Sequence, residues 1–99
     1  MLYVILGRDS PEGLAIRRRV RPAHLERVAA LRDAGRVLLA GPMPAIDSPD
    51  PGPAGFHGSL IVAEFESLEA ARRWAEADPY ATEGAFASVE VQPFIRVLP

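Results

Sequence analysis

Apolar residues along the chain fall into four short runs separated by two stretches with helical spacing. Leu2, Tyr3, Val4, Ile5 and Leu6 are consecutive and rich in β-formers, so residues 2–6 read as a strand buried on both faces, closed by Gly7. Ser10, Pro11 and Glu12 then offer an N-cap, a proline for the first helical position and an early carboxylate, which predicts a helix from that point. Pro22 predicts a kink or short break near Arg21, after which a second segment continues to Ala34 and stops at Gly35. Residues 37–40 form the second strand. In residues 41–58, nine of eighteen positions are Gly or Pro, a composition that argues against helix or sheet. Irregular insertions of this length are usually functional or mobile, so the segment is expected to be a lid.

Residues 59–65 form a third strand, apolar on both faces except at Ser59 and Glu64. Ser67 caps the next helix, with Glu69 in its first turn and Leu68, Ala71, Trp74 and Ala75 as its apolar stripe. Pro79 disfavours the α conformation at Asp78, which ends that helix. After a turn containing Gly84, residues 87–97 make the last strand, with Val89, Val91, Ile95 and Val97 on one face and mainly polar residues on the other. This alternation, with Pro93 inside it, marks an edge strand.

The order is βαββαβ. It predicts an α+β, ferredoxin-like fold, a four-stranded antiparallel sheet with two helices on one face, formed as one domain from residues 1–99. The first and third strands are central in this plan and apolar on both faces, yet the helices cover only one. A second copy of the sheet, as in a dimeric α+β barrel, is the simplest cover and predicts a homodimer; the segment 41–58 is the rival cover.

Composition narrows the function. The chain is 48% hydrophobic and 24% charged, within the globular range, and its net charge of −2 gives no positive field for nucleic acid. It has no Cys, and all eleven basic residues are Arg. Thiolate nucleophiles, Cys-held metals, Schiff-base lysines and Walker-type phosphate loops are therefore excluded. Gly52, Gly55 and Gly58 do not form a dinucleotide fingerprint. No cofactor is expected. The N-terminal apolar run is short and lacks a basic leader, which predicts neither a signal peptide nor a membrane span and makes the cytoplasm the expected location.

Two polar residues interrupt the apolar stripes. His24 shares a helical face with Val28 and Leu31, and Asp78 lies on the stripe of Ala71 and Trp74. Adjacent helices would let the two meet. One reading is an acid/base pair in which the carboxylate orients an imidazole; the others are a structural hydrogen-bonded pair, or an Asp that merely ends its helix. His57, beside Phe56, would complete a two-histidine, one-carboxylate metal site, but no spacing supports it, so no metal is assigned. Arg17, Arg18, Arg19 and Arg21 spread around a helix and read as solvated, unless Arg17 or Arg21 binds a substrate carboxylate or phosphate at the cleft mouth. Tyr80 either lends a phenol to the cleft or packs. Ser59 lacks a nucleophile elbow and reads as a hydrogen-bond donor to substrate. Trp74, Phe65 and Phe86 read as core.

Several segments carry a resemblance: Arg21-Pro22-Ala23-His24-Leu25, Gly41-Pro42-Met43-Pro44-Ala45, Asp50-Pro51-Gly52, Gly55-Phe56, Gly58-Ser59, Glu64-Phe65-Glu66-Ser67-Leu68-Glu69-Ala70-Ala71 and Ala77-Asp78-Pro79-Tyr80. Together they resemble the YCII-related family, in order and over nearly the whole chain. The resemblance implies a dimeric ferredoxin-like barrel with His24 and Asp78 at the centre of an active site; around it, Arg21, Ser59, Tyr80, Gly41 and Pro42 are the residues expected to meet a small-molecule ligand. The wider family includes a dehydrochlorinase acting on a hydroxylated chloro-aromatic, and the fold is similar to that of muconolactone isomerase. The leading expectation is a cofactor-independent lyase or isomerase; the alternative is a ligand-binding or regulatory dimer without turnover. RNA binding, which the strand order allows, is disfavoured because the aromatic-rich RNP sequence is missing.

Overall fold

The computed structural model describes residues 1–99. Its elements are β1 (Leu2–Asp9), α1 (Gly13–Asp33), β2 (Val37–Pro44), a short 3₁₀ turn (Gly52–Ala54), β3 (Phe56–Glu64), α2 (Leu68–Glu76), α3 (Pro79–Thr82) and β4 (Phe86–Phe94). The four strands form one antiparallel sheet in the order β2-β3-β1-β4, which is the ferredoxin-like arrangement with β1 and β3 central.

The register explains both faces. Tyr3, Ile5, Ile61, Ala63 and Val91 point to one side and build the core with Leu31 of α1 and Ala71 and Ala75 of α2. Their neighbours point the other way: Leu2, Val4 and Leu6 lie opposite Glu64, Val62 and Leu60 on β3, and opposite Phe94, Gln92 and Glu90 on β4. Leu39 of β2 pairs with Val62 and remains 50% exposed, and Phe94 is 38% exposed. This second face carries an apolar strip and no helix.

Several local expectations are corrected. Gly7 does not end β1, because it pairs with Ser59 and Val89 and its missing Cβ makes room for the Phe86 ring, which would lie 2.5 Å from one. Ser10 does not cap α1; its hydroxyl donates to the Gly84 carbonyl at 2.7 Å, the helix starts after Glu12, and Pro11 lies in the preceding turn. No break occurs at Pro22, and α1 is one helix of 21 residues. Pro22 and Arg18 both lie on the exposed side, where solvent can satisfy the carbonyl left without its bond. The segment 41–58 is a loop only in its middle: Gly41, Pro42 and Pro44 belong to β2, an edge strand that tolerates missing donors, and β3 begins at Phe56. Only residues 45–55 connect the strands. Asp78 ends one helical segment and also starts another, α3, which the sequence reading missed. β4 stops at Phe94 because its partner Leu2 is the first residue of β1, leaving Ile95 and Val97 exposed rather than paired. No helix is long and apolar enough to cross a membrane.

Candidate functional site

Periodicity along α1 places Arg17, His24 and Leu31 seven residues apart, two turns each, on its buried side. At the far end of α2 the chain turns at Asp78, whose Oδ2 accepts the Tyr80 N–H at 3.0 Å and so caps α3. These two supports bring the buried side chains together: His24 Nδ1 lies 2.7 Å from Asp78 Oδ2. Arg27, one turn beyond His24, donates through Nη1 to Asp78 Oδ1 at 3.0 Å and to the Trp74 carbonyl at 3.0 Å, with its guanidinium 4.5 Å above the Trp74 ring. Burial alone would raise the Asp78 pKa. The hydrogen bond and charge of His24, the Tyr80 N–H and Arg27 outweigh it and hold the carboxyl below its usual value. An ionised Asp78 can only accept, so His24 donates from Nδ1–H. Its Nε2 has no hydrogen bond within the chain, yet no buried side-chain nitrogen lacks a partner, so Nε2 reaches open space.

That space is a cleft of ≈ 270 Å³ between α1 and β2. Every residue proposed from sequence to touch a ligand lies on its wall: Arg21, Ser59, Tyr80, Gly41 and Pro42, with His24, while Asp78 stands behind the imidazole. The Tyr80 ring stacks on His24, with centroids 3.8 Å apart and planes within 5°, and meets the edge of Phe86 on its other flank. Burial raises the Tyr80 pKa, against the opposing charges of Arg17 and Arg21 and with some reinforcement from Asp78, so the phenol keeps its proton at neutral pH.

Two participants, Arg27 and Asp9, were not found from sequence, and a third, Arg17, was offered there only as an alternative, as the binder of a substrate anion. Arg17 was read mainly as solvated; instead it is buried and grips Asp9 with Nε at 2.8 Å and Nη2 at 2.7 Å, while Nη2 also donates to Ser59 Oγ at 2.9 Å. Phe56, Tyr80 and Phe86 surround its guanidinium at 4.9, 5.0 and 5.5 Å. The spacing of seven from His24 was a signal for Arg17, and the spacing of three was one for Arg27; nothing local marks Asp9. His57 is not brought to His24 and Asp78. It is exposed, with Nε2 3.4 Å from Arg8 Nη1, and no cluster of three or more His, Asp or Glu side chains exists.

A profile of the YCII-related domain matches residues 1–95. The chain belongs to the YCII-related family. Among its YCII-related relatives, protein YciI of Escherichia coli is 59% identical over 97 residues, covering 98% of this chain and 99% of the relative. An uncharacterized protein of Haemophilus influenzae is 48% identical over the same shares. Among solved structures, the 5-chloro-2-hydroxyhydroquinone dehydrochlorinase TftG of Burkholderia phenoliruptrix, in complex with 2,5-dihydroxybenzoquinone, superposes with a TM-score of 0.84 at 26% identity, over 96% of this chain and 94% of that one.

Proposed function

We propose that the His24 cleft is the active site of a cofactor-independent lyase or isomerase that moves protons on small hydroxylated cyclic molecules. The observation that carries this reading is the 2.7 Å contact between His24 Nδ1 and the Asp78 carboxylate, with Nε2 left open to the cleft. An imidazole, with an ordinary pKa of about 6.5, can accept and return a proton near neutrality, and such a group contributes about 10²- to 10⁴-fold in rate. In this reading the Nε2 lone pair takes a proton from substrate, and the imidazolium formed is stabilised by Asp78. In an isomerisation the proton returns at a second substrate atom. In an elimination the electron pair left behind becomes the new π bond and the leaving group departs with its bonding pair, so the substrate loses HX in total. The likeness to TftG favours the elimination and a hydroxylated ring as substrate. Ser59 and Tyr80 supply hydroxyl donors to ring oxygens, Arg21 supplies positive charge, and Gly41 with Pro42 forms the opposite wall.

The enzyme works in the cytoplasm as a homodimer, in which a second copy covers the helix-free face. Leu2, Val4, Leu6, Leu39, Leu60 and Val62 give that face its apolar strip. Light scattering coupled to gel filtration tests the dimer; a monomer at micromolar concentration contradicts it.

The catalytic reading is tested by turnover of hydroxylated and chlorinated cyclic compounds with wild type, His24→Gln and Asp78→Asn, with and without a chelator. Activity that survives chelation and collapses in His24→Gln is expected. Full activity in His24→Gln, or activity lost to a chelator and restored by a metal, overturns the chemistry. Saturable binding without turnover across the panel favours a ligand-binding module instead.

A further inference from the structure

The His24 cleft is one half of a larger opening. A second cavity of ≈ 300 Å³ adjoins it, and Arg17, Arg21, Pro42 and Tyr80 are walls of both. We infer that the two lobes take one ligand, a hydroxylated ring beside His24 and Tyr80 that carries a carboxylate arm reaching Arg18 and Arg21 in the second lobe. This rests on the reading of the His24 cleft as a ligand site and adds the class of molecule it takes.

Charge is the first argument. The second lobe is walled by three arginines and one carboxylate, Asp50. Arg17 is already neutralised by Asp9 at 2.7 Å. Arg18 and Arg21 form no ion pair within the chain; Arg8, Arg36, Arg72 and Arg96 form none either, but they lie outside this lobe, where Arg18 and Arg21 stand together. Two free guanidinium groups against one Asp50 carboxylate leave the lobe with excess positive charge. Arg18 and Arg21 are also three residues apart on α1, where like charges repel and destabilise the helix. A bound anion removes that repulsion, and a guanidinium fork suits a planar carboxylate.

Shape is the second argument. Leu14, Phe56 and Pro51 give the second lobe an apolar part of its wall, suited to a short methylene arm. Residues 50–52 reach the opening at this lobe and not at the His24 lobe, so the inter-strand connection borders the arm rather than the ring. An uncharged dihydroxybenzene would fill only the first lobe.

The test is calorimetric titration of the full chain with hydroquinone, 2,5-dihydroxybenzoate and 2,5-dihydroxyphenylacetate. A charge-assisted hydrogen bond predicts that the phenylacetate binds about tenfold or more tighter than hydroquinone. The benzoate, with a shorter reach, falls between them. This preference disappears in Arg18→Gln/Arg21→Gln and weakens with added salt, while His24→Gln retains it. Both arginines are exposed, and a thermal melt verifies that the double variant stays folded. Equal affinity of wild type for all three probes overturns the inference and leaves the cleft reading standing, as does a preference that survives the double variant. Failure of wild type to bind any of them overturns both.

Discussion

Two buried arginine–carboxylate clusters lie on the same side of the sheet, and they differ in what they leave uncommitted. In the first, Arg17 holds Asp9 through two bonds of 2.8 and 2.7 Å, reaches Ser59 at 2.9 Å, and is enclosed by three aromatic rings. Its carboxylate is held from both oxygens, and its charge is matched inside the protein. In the second, Asp78 is held by His24, Arg27 and the Tyr80 N–H, but the imidazole still presents Nε2 to open space. Burial and charge are therefore common to both clusters and do not distinguish a site from a brace. The distinguishing feature is a ring nitrogen with no partner in the chain that faces a cavity. The first cluster positions the walls, Ser59 and Tyr80; the second presents a ring nitrogen to the cleft, the atom to which the proposed function assigns proton transfer.

Substitutions can separate these roles. His24→Gln is expected to lower turnover about 10²- to 10⁴-fold, with a smaller loss of stability than the loss of Arg17, because Arg27 and the Tyr80 N–H still hold the Asp78 carboxylate. Arg17→Met is expected to act on the fold instead: breaking a buried pair strands the Asp9 carboxylate and costs about 3–5 kcal/mol in chemical denaturation. Adding Asp9→Asn should recover part of that loss. A catalytic defect in Arg17→Met at unchanged stability would blur the contrast between the clusters.

Asp78→Asn should show both kinds of effect at smaller size. The folded pKa of Asp78 lies below its ordinary 3.8, so its ionisation stabilises the fold above that value and the contribution is lost as pH falls through the folded pKa. The asparagine variant lacks this contribution. Its deficit against wild type should be full at neutral pH and narrow below 3.8, as followed by denaturation at a series of pH values. Arg27→Met should have the smallest effect, since it removes one of three donors to Asp78 and the Arg27 side chain is partly in water. It should shift the acid limb of wild-type stability slightly upward in pH, and Arg27→Lys should restore most of it.

Much of this was legible because it depends on local pattern. Apolar runs at residues 2–6 and 60–63 identified the central strands, since a strand at the edge of a sheet alternates with polar residues and these do not. His24 and Asp78 stood out because each interrupts an apolar stripe, and a polar residue on an inward face needs a partner. Arg17 was hidden for the opposite reason: it belongs to a run of arginines, and the carboxylate that draws it inward, Asp9, is eight residues away at the end of a strand. That attraction exists only once β1 and α1 have packed. The extent of β2 was obscured by Pro42 and Pro44, which exclude a central strand but not an edge, and edge position is a property of the whole sheet. Asp78-Pro79 was read as a stop, although the same pair is a helix start, and only the Tyr80 N–H bonded to Oδ2 decides between the two.

The central claim is that the cluster with an open imidazole is where ligand meets the protein. The chain has two histidines, His24 in the cleft and His57 on the surface, so imidazole C–H resonances report on both in one spectrum. Titration with 2,5-dihydroxybenzoquinone or hydroquinone is predicted to move the His24 resonances saturably, with His57 unchanged, and to lose the effect in a variant whose cleft is filled by Ala40→Phe, since Ala40 lines the cleft and pairs with Ile61 on its side of the sheet. Resonances of His24 that stay fixed while ligand binds, or a saturable shift at His57 alone, would contradict the account.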